Sequence, residues 1–142
     1  MDWHFSDGGR AAASYKGEAG DCATRAVAIA AQMPYQQVYD DLNELAKTER
    51  RGTRKKGRSN ARAGVYVATL KRYMSELGWQ WVPTMQIGSG CTVHLRSEEV
   101  PAGRIVARVS RHYCAVIDGV IHDTHDPSRD GTRCVYGYWH KL

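Results

Sequence analysis

The sequence predicts an α+β fold in which N-terminal helices pack on an antiparallel sheet. In the first half of the 142-residue chain, apolar residues recur at helical spacing, whereas runs of β-forming residues follow Trp79. Asp118-Gly119 separates two such runs and predicts a two-residue hairpin turn. Helices first and strands second is typical of the α+β class, and the length suits a single domain, 1–142.

Three helices are predicted between residues 22 and 77. The first spans about 22–32, with the Asp21 carboxylate as its expected N-cap and Pro34 preventing its continuation. The second begins at Pro34, and the third spans 65–77 and ends at Gly78. The apolar stripes of the three helices are Ala23, Ala26, Val27 and Ala30; Tyr35, Val38, Tyr39, Leu42 and Ala46; and Tyr66, Leu70, Tyr73, Met74 and Leu77.

Strands are predicted at 79–82, 104–109, 112–117, 120–124 and 134–139. Residues 1–20 have no sustained period and predict an irregular arm, and 86–103 predicts mostly loop with a short element at 92–95. With Asp118-Gly119 as the turn, Ile117 pairs with Val120, and His112 shares a sheet face with Asp123. Asp123 is then a diagonal neighbour of His112, within side-chain reach.

The positive charge of the chain belongs to one segment. The net charge is +5, and the stretch 49–62 alone has seven basic residues against the single acid Glu49. We interpret 49–63 as a mobile loop inserted between the second and third helices, either inert or in contact with nucleic acid or an acidic partner. The basic residues are Arg50, Arg51, Arg54, Lys55, Lys56, Arg58 and Arg62.

The cysteines and the N-terminus predict a cytoplasmic protein. Residues 1–7 lack the basic and apolar regions of a secretion signal, and no apolar run approaches the roughly 20 residues of a membrane span. We therefore expect no membrane association. The four cysteines, Cys22, Cys91, Cys114 and Cys134, are expected to be reduced rather than bridged.

Cys22 is the candidate nucleophile. It stands in the first turn of a predicted helix, where the positive helix end and unpaired N–H groups favour the thiolate. His112, held by the carboxylate of Asp123 on the next strand, is the candidate base. A cysteine at a helix N-terminus that faces a carboxylate-held histidine is a nucleophile–base–orienter arrangement.

These residues resemble the papain-like superfamily of cysteine peptidases in its compact bacterial and phage forms, such as the bacteriocin-processing and cell-wall peptidases. The resemblance rests on Gly20-Asp21-Cys22 and on the run from His112 to Pro127. It implies a papain-like fold with the cleft between the first helix and the hairpin. It also implies Cys22 as nucleophile, His112 as general base and acid, and Asp123 as the residue that orients the imidazole.

The chain departs from that superfamily in its oxyanion hole. Papain-like enzymes usually have a glutamine a few residues before the cysteine, and Lys16 stands at that position here. The backbone N–H of Cys22 would still donate, with Tyr15, Ser14 or Lys16 as a possible second donor.

The third residue of the triad has an alternative. In some relatives it belongs to an Asp-Pro pair, which here is Asp126-Pro127. Strand alternation favours Asp123, because Asp126 should project from the opposite face unless the strand breaks. Asp126 is therefore the second choice.

Two other pairs have the spacing of metal ligands: Cys91 with His94, and His122 with His125. However, His122 and His125 point to opposite faces of a strand, and the chain has no Cys-x-x-Cys pair, so the sequence predicts no metal and no cofactor. Cys91 is also a rival nucleophile, but no capped helix follows it, and we expect a buried or loop thiol there.

The sequence thus predicts a cysteine-dependent hydrolase that acts on a peptide or isopeptide bond of a peptide or protein substrate, through a thioacyl intermediate. Acyl transfer to an amine and deamidation use the same groups and stay open. The alternative, favoured by the missing glutamine, is a non-catalytic papain-like scaffold that binds nucleic acid or an acidic partner through the basic loop 49–63.

Overall fold

The computed structural model describes residues 1–17, 19–49, 57–86 and 88–141. It has three helices and one six-stranded sheet with the strand order β1-β5-β4-β3-β6-β2. The α+β class is confirmed, while the papain-like fold stays a prediction. The elements are β1 (Trp3–Phe5), α1 (Cys22–Ala31), α2 (Tyr35–Ala46), α3 (Val67–Glu76), β2 (Trp79–Pro83), β3 (Arg104–Val109), β4 (His112–Ile117), β5 (Val120–Asp123) and β6 (Gly137–Lys141).

The sheet is mixed, so the prediction of an antiparallel sheet is wrong at one edge. β1 lies in the expected irregular arm and runs parallel to β5, with Trp3 opposite Ile121 and Phe5 opposite Asp123. The other neighbouring strands are antiparallel. All three residues of β1 are exposed, so the strand lacks the alternation of buried and exposed side chains that would predict it. The strand is defined by its pairing with β5.

The last strand begins later than predicted. A strand was expected at 134–139, whereas β6 spans Gly137–Lys141. Cys134 instead forms an isolated bridge with His94. The ring of Trp81 leaves no room for a Cβ at residue 137, which explains why β6 begins with a glycine.

The β4–β5 hairpin has the predicted register. Ile117 lies opposite Val120, and Asp118 and Gly119 both have positive φ angles, 48° and 79°. Two consecutive positive φ angles define a type I′ turn, which Asp-Gly tolerates well. The turn therefore fixes which residues meet at the open end of the hairpin, including His112.

The helices cover one face of the sheet. Small buried side chains of α1 let it pack closely on β4, and Val106, Tyr113 and Trp139 of the sheet belong to the same apolar core. The guanidinium of Arg104 on β3 donates to the carbonyl oxygens of Ile29 and Ala30, at 2.7 and 2.8 Å, and so caps the C-terminal end of α1. The C-terminal end of α1 is thus tied to the sheet.

The basic loop is described only in part. Residues 50–56 lie outside the described residues, and with them most of the predicted basic cluster. Residues 57–63 are anchored, because the buried Ala61 donates its N–H to Asn43 at 2.9 Å and accepts the Thr24 hydroxyl at 2.7 Å on its carbonyl. These contacts give residues 57–63 a defined position, and the mobility of the loop stays a prediction.

Two of the four cysteines are bonded to each other. Cys91 and Cys134, 43 positions apart, form a disulfide with their Cα atoms 5.8 Å apart, whereas Cys22 and Cys114 are free. The prediction of four reduced cysteines is wrong for this pair, because the sequence could not show that the two segments meet. Disulfides are rare in the cytoplasm, so this bond does not support the predicted cytoplasmic location. That location stays a prediction. Across the described residues, no helix combines the length and apolar character needed to cross a bilayer.

We expect the denatured, unreduced protein to react with a thiol-quantifying reagent at two cysteines and the reduced protein at four. A Cys91→Ala/Cys134→Ala variant should show two in both states, and its free energy of unfolding should fall by about 2–4 kcal/mol because the cross-link no longer restricts the unfolded chain. Four reactive thiols before reduction would contradict the bond.

Candidate active site

Cys22, His112 and Asp123 lie where the N-terminus of α1 meets the open end of the hairpin. Cys22 begins α1, His112 begins β4, and Asp123 ends β5. Cys22 and His112 line a cleft of about 690 Å³ whose opposite wall is formed by residues 63–67, and Asp123 is buried behind His112. The structure thus brings together the three residues predicted from the sequence, and their roles in a reaction stay predictions.

His112 is held by a short hydrogen bond. Its Nε2 donates to Oδ2 of Asp123 at 2.6 Å. Burial by itself would lower the pKa of His112, but hydrogen bonding to Asp123 and Cys22, with the charges of both, raises that pKa to about 9. For Asp123, burial acts in the opposite direction and would raise the pKa of the carboxyl group. The interaction with His112 and the hydrogen bond from the Thr124 N–H, at 2.7 Å, nevertheless lower this pKa below its ordinary value. Imidazolium and carboxylate are therefore both charged at neutral pH.

The thiol of Cys22 is biased toward its ionised form. Burial raises the pKa of Cys22, but the interaction with His112, the backbone N–H of Tyr113 and the charge of Arg25 lower it below the ordinary value. Because Nε2 of His112 is bonded to Asp123, Nδ1 is the ring nitrogen left for the thiol. The lowered pKa of Cys22 favours the thiolate beside the protonated His112, and the thiolate is the reactive form of a nucleophilic cysteine.

Asp21 does not cap α1 with its side chain, so that prediction is wrong. The carboxylate makes no hydrogen bond to the first helical turn. It accepts instead from Arg25 and, at 2.6 Å, from the Tyr35 hydroxyl, with Arg10 at 3.4 Å. These contacts account for the missing side-chain cap at the start of α1.

Arg25 is the site residue that the sequence interpretation missed. Its guanidinium, only 10% exposed, joins the carboxylate of Asp21 to that of Asp123, the latter at 3.4 Å. The i,i+4 spacing of Asp21 and Arg25 was a usable signal for the first ion pair. No sequence signal connects Arg25 with Asp123, which lies 98 positions later.

Asp126 does not contact His112. It is exposed, and its Oδ1 accepts the N–H of Ser128 at 2.9 Å, which closes a turn after the hairpin. The alternation argument that preferred Asp123 is confirmed by the bond between Asp123 and His112.

None of the three proposed second oxyanion donors lines the cleft. The Tyr15 hydroxyl donates to Gln36 at 2.8 Å, and the Lys16 carbonyl accepts from Arg10 at 3.1 Å. Ser14 is exposed with a φ angle of 73°. The expectation of a donor from 14–16 is therefore wrong for this arrangement.

The rival cysteines are poor nucleophiles. Cys91 has no free thiol, because it is bonded to Cys134, and His94 interacts with Glu99 at 3.2 Å. Cys114 is buried, and that burial raises its pKa well above the ordinary value. Cys22 is the one free thiol at the cleft among the described residues.

Three side chains have the geometry to hold a cation. One potential ligand atom each from His112, Asp123 and His125 lies within 4.8 Å of the others. A cation there would replace the hydrogen bond between His112 and Asp123, so metal binding and acid–base work by His112 exclude each other. His122 instead faces His4, with ring centroids 5.4 Å apart, which agrees with the predicted opposite orientation of His122 and His125.

Comparison of the chain with models of protein families, with curated proteins and with solved structures finds no match. The papain-like resemblance therefore still rests on the motifs around Cys22 and His112 alone.

An Asp123→Asn variant should shift the pH dependence of Cys22 alkylation. Without the carboxylate charge, the pKa of His112 falls from about 9 toward its ordinary value and the pKa of Cys22 rises. We therefore expect the alkylation rate to rise at a pH higher than in the wild type by about one unit or more.

Asp126→Asn is the matched control, since it removes the same charge from the neighbouring exposed carboxylate. Its alkylation profile should coincide with that of the wild type. Equal shifts in both variants would contradict a specific role of Asp123.

Proposed function

We propose that this protein is a cysteine-dependent hydrolase of peptide or isopeptide bonds, of the papain-like kind. The observation that carries the proposal is the joint placement of Cys22 and His112 in an open cleft, with the far ring nitrogen of His112 bonded to Asp123 at 2.6 Å. A polarised thiol, a proton carrier and an orienting carboxylate are the groups that acyl transfer to sulfur requires.

In the proposed reaction, Sγ of Cys22 attacks the substrate carbonyl carbon and a carbon–sulfur bond forms. The proton on Nδ1 of His112 passes to the leaving nitrogen, the carbon–nitrogen bond breaks, and a thioacyl intermediate remains on Cys22. His112 then takes a proton from water, whose oxygen attacks the thioester carbonyl. Breaking of the carbon–sulfur bond releases the acid and restores the thiolate and the imidazolium.

The negative charge of the tetrahedral intermediate needs donors. The backbone N–H of Cys22 lies in the first turn of α1, where N–H groups have no acceptor within the helix. The Asp21 carboxylate does not accept from these groups, because it is bound by Arg25 and Tyr35. In this proposal, backbone donors replace the glutamine that papain-like enzymes usually have.

We expect the wild-type protein to produce new cleavage products from a library of proteome-derived peptides analysed by mass spectrometry. Cys22→Ala and His112→Ala should reduce product formation by at least about a hundredfold, since each removes a group that takes part in the bond-breaking step. Deamidated or transferred products in place of cleavage would identify the reaction type. Identical product sets from wild type and Cys22→Ala would overturn the proposal.

The scaffold alternative predicts a binding activity that does not depend on Cys22. If the basic loop 49–63 binds nucleic acid or an acidic partner, Cys22→Ala should bind a fluorescent oligonucleotide as tightly as the wild type, and the affinity should fall steeply with salt. A protein that binds in this way and gives no Cys22-dependent product would favour the scaffold.

A further inference from the structure

The wall of the cleft beside His112 is positively charged. Arg108 and Arg111 both line the cleft together with Tyr113, and none of the described lining residues is Asp or Glu. Neither guanidinium forms an ion pair with a carboxylate in the described part of the chain.

The charges behind the cleft compensate one another. Arg10 and Arg25 form ion pairs with the buried carboxylates of Asp21 and Asp123, so these four charges balance one another. The two guanidiniums of the wall therefore supply the uncompensated charge that a bound molecule would meet.

Both arginines line the same cleft as the proposed catalytic histidine. Arg108 on β3 lies opposite Tyr113 on β4, interacts with the Tyr113 hydroxyl, and has its guanidinium 5.3 Å from the centroid of the Tyr136 ring. Arg111 is exposed in the turn between β3 and β4, with a φ angle of 57°, and directly precedes His112. Both side chains therefore line the cleft on the side of His112.

We infer that the acyl donor of this site carries a carboxylate close to the bond that is attacked, and that Arg108 and Arg111 bind it. Guanidinium groups suit this task because they donate two parallel hydrogen bonds to a carboxylate and stay charged at all accessible pH values. The inference rests on the proposed function. The carboxylate can come from an Asp or Glu side chain or from the end of a peptide chain.

The first test compares two alkylating reagents that differ in charge. Iodoacetate is anionic and iodoacetamide is neutral, and both report on the same Cys22 thiolate, so the ratio of their rates cancels any change in the pKa of the thiol. We expect Arg108→Gln/Arg111→Asn to lower the iodoacetate-to-iodoacetamide ratio by about three- to tenfold at low salt. Added salt should lower the wild-type ratio as well, because it screens the guanidiniums.

The single variant Arg111→Asn keeps the test valid if the double variant misfolds. It should fold normally, because Arg111 is exposed and asparagine tolerates a positive φ angle. It should show part of the same decrease. Lys47→Gln/Arg72→Gln is the matched control, since it removes two charges from exposed positions outside the cleft, just after α2 and on α3, and should leave the ratio unchanged. A ratio that is the same in wild type and both cleft variants would overturn the inference even if Cys22 is reactive, whereas an unreactive Cys22 would count against the proposed function itself.

The second test identifies the source of the carboxylate by protection of Cys22 from iodoacetamide. One arm compares short blocked peptides that differ only by Glu or Gln, and the other compares a glycine peptide with a free or an amidated C-terminus. A wild-type preference for the carboxylate form in either arm, lost in the double variant, supports the inference and names the source. Equal protection by both members of each pair overturns it.

Discussion

The buried guanidinium of Arg25 holds the two halves of the site together. It joins Asp21, just before α1, to Asp123, at the end of the hairpin, and these segments are about a hundred residues apart in the chain. Burying three charges is costly, and the cost is offset only where each is paired and hydrogen-bonded. Here the Tyr35 hydroxyl donates a further hydrogen bond to Asp21, and the Thr124 N–H donates one to Asp123. Loss of the guanidinium would leave both carboxylates facing each other in a poorly solvated space.

A series of alternating charges runs from this ion pair to the thiol. Arg25 supports Asp123, Asp123 supports the protonated form of His112, and the imidazolium supports the thiolate of Cys22. Each member makes the charged form of the next one more favourable, which opposes the effect of burial on its pKa. Cys22 and His112 interact directly, so their titrations are coupled and belong to the pair.

The fold supports this arrangement by packing side chains on both faces of the sheet. α1 presses small side chains on β4 and has its C-terminal end tied to β3 by Arg104, while the opposite face is closed by Leu95, Val100 and Val135. Thr24 and the anchored Ala61 fix the segment that forms the far wall of the cleft. The strands that present His112 and Asp123 therefore have little freedom to separate.

Local rules were sufficient where the structure is local. The 3.6-residue stripes predicted α1, α2 and α3 to within two or three residues, and Asp118-Gly119 determined the register that makes Asp123 a diagonal neighbour of His112, because turn geometry and strand alternation act over a few residues. Only the tertiary structure decided the parallel pairing of β1, the bond between Cys91 and Cys134, and the diversion of Asp21 from its helix to Arg25 and Tyr35. Each of these features is a contact between segments that are distant in the sequence. Residue spacing gives no information about which distant segment supplies the hydrogen-bonding partner or the second thiol.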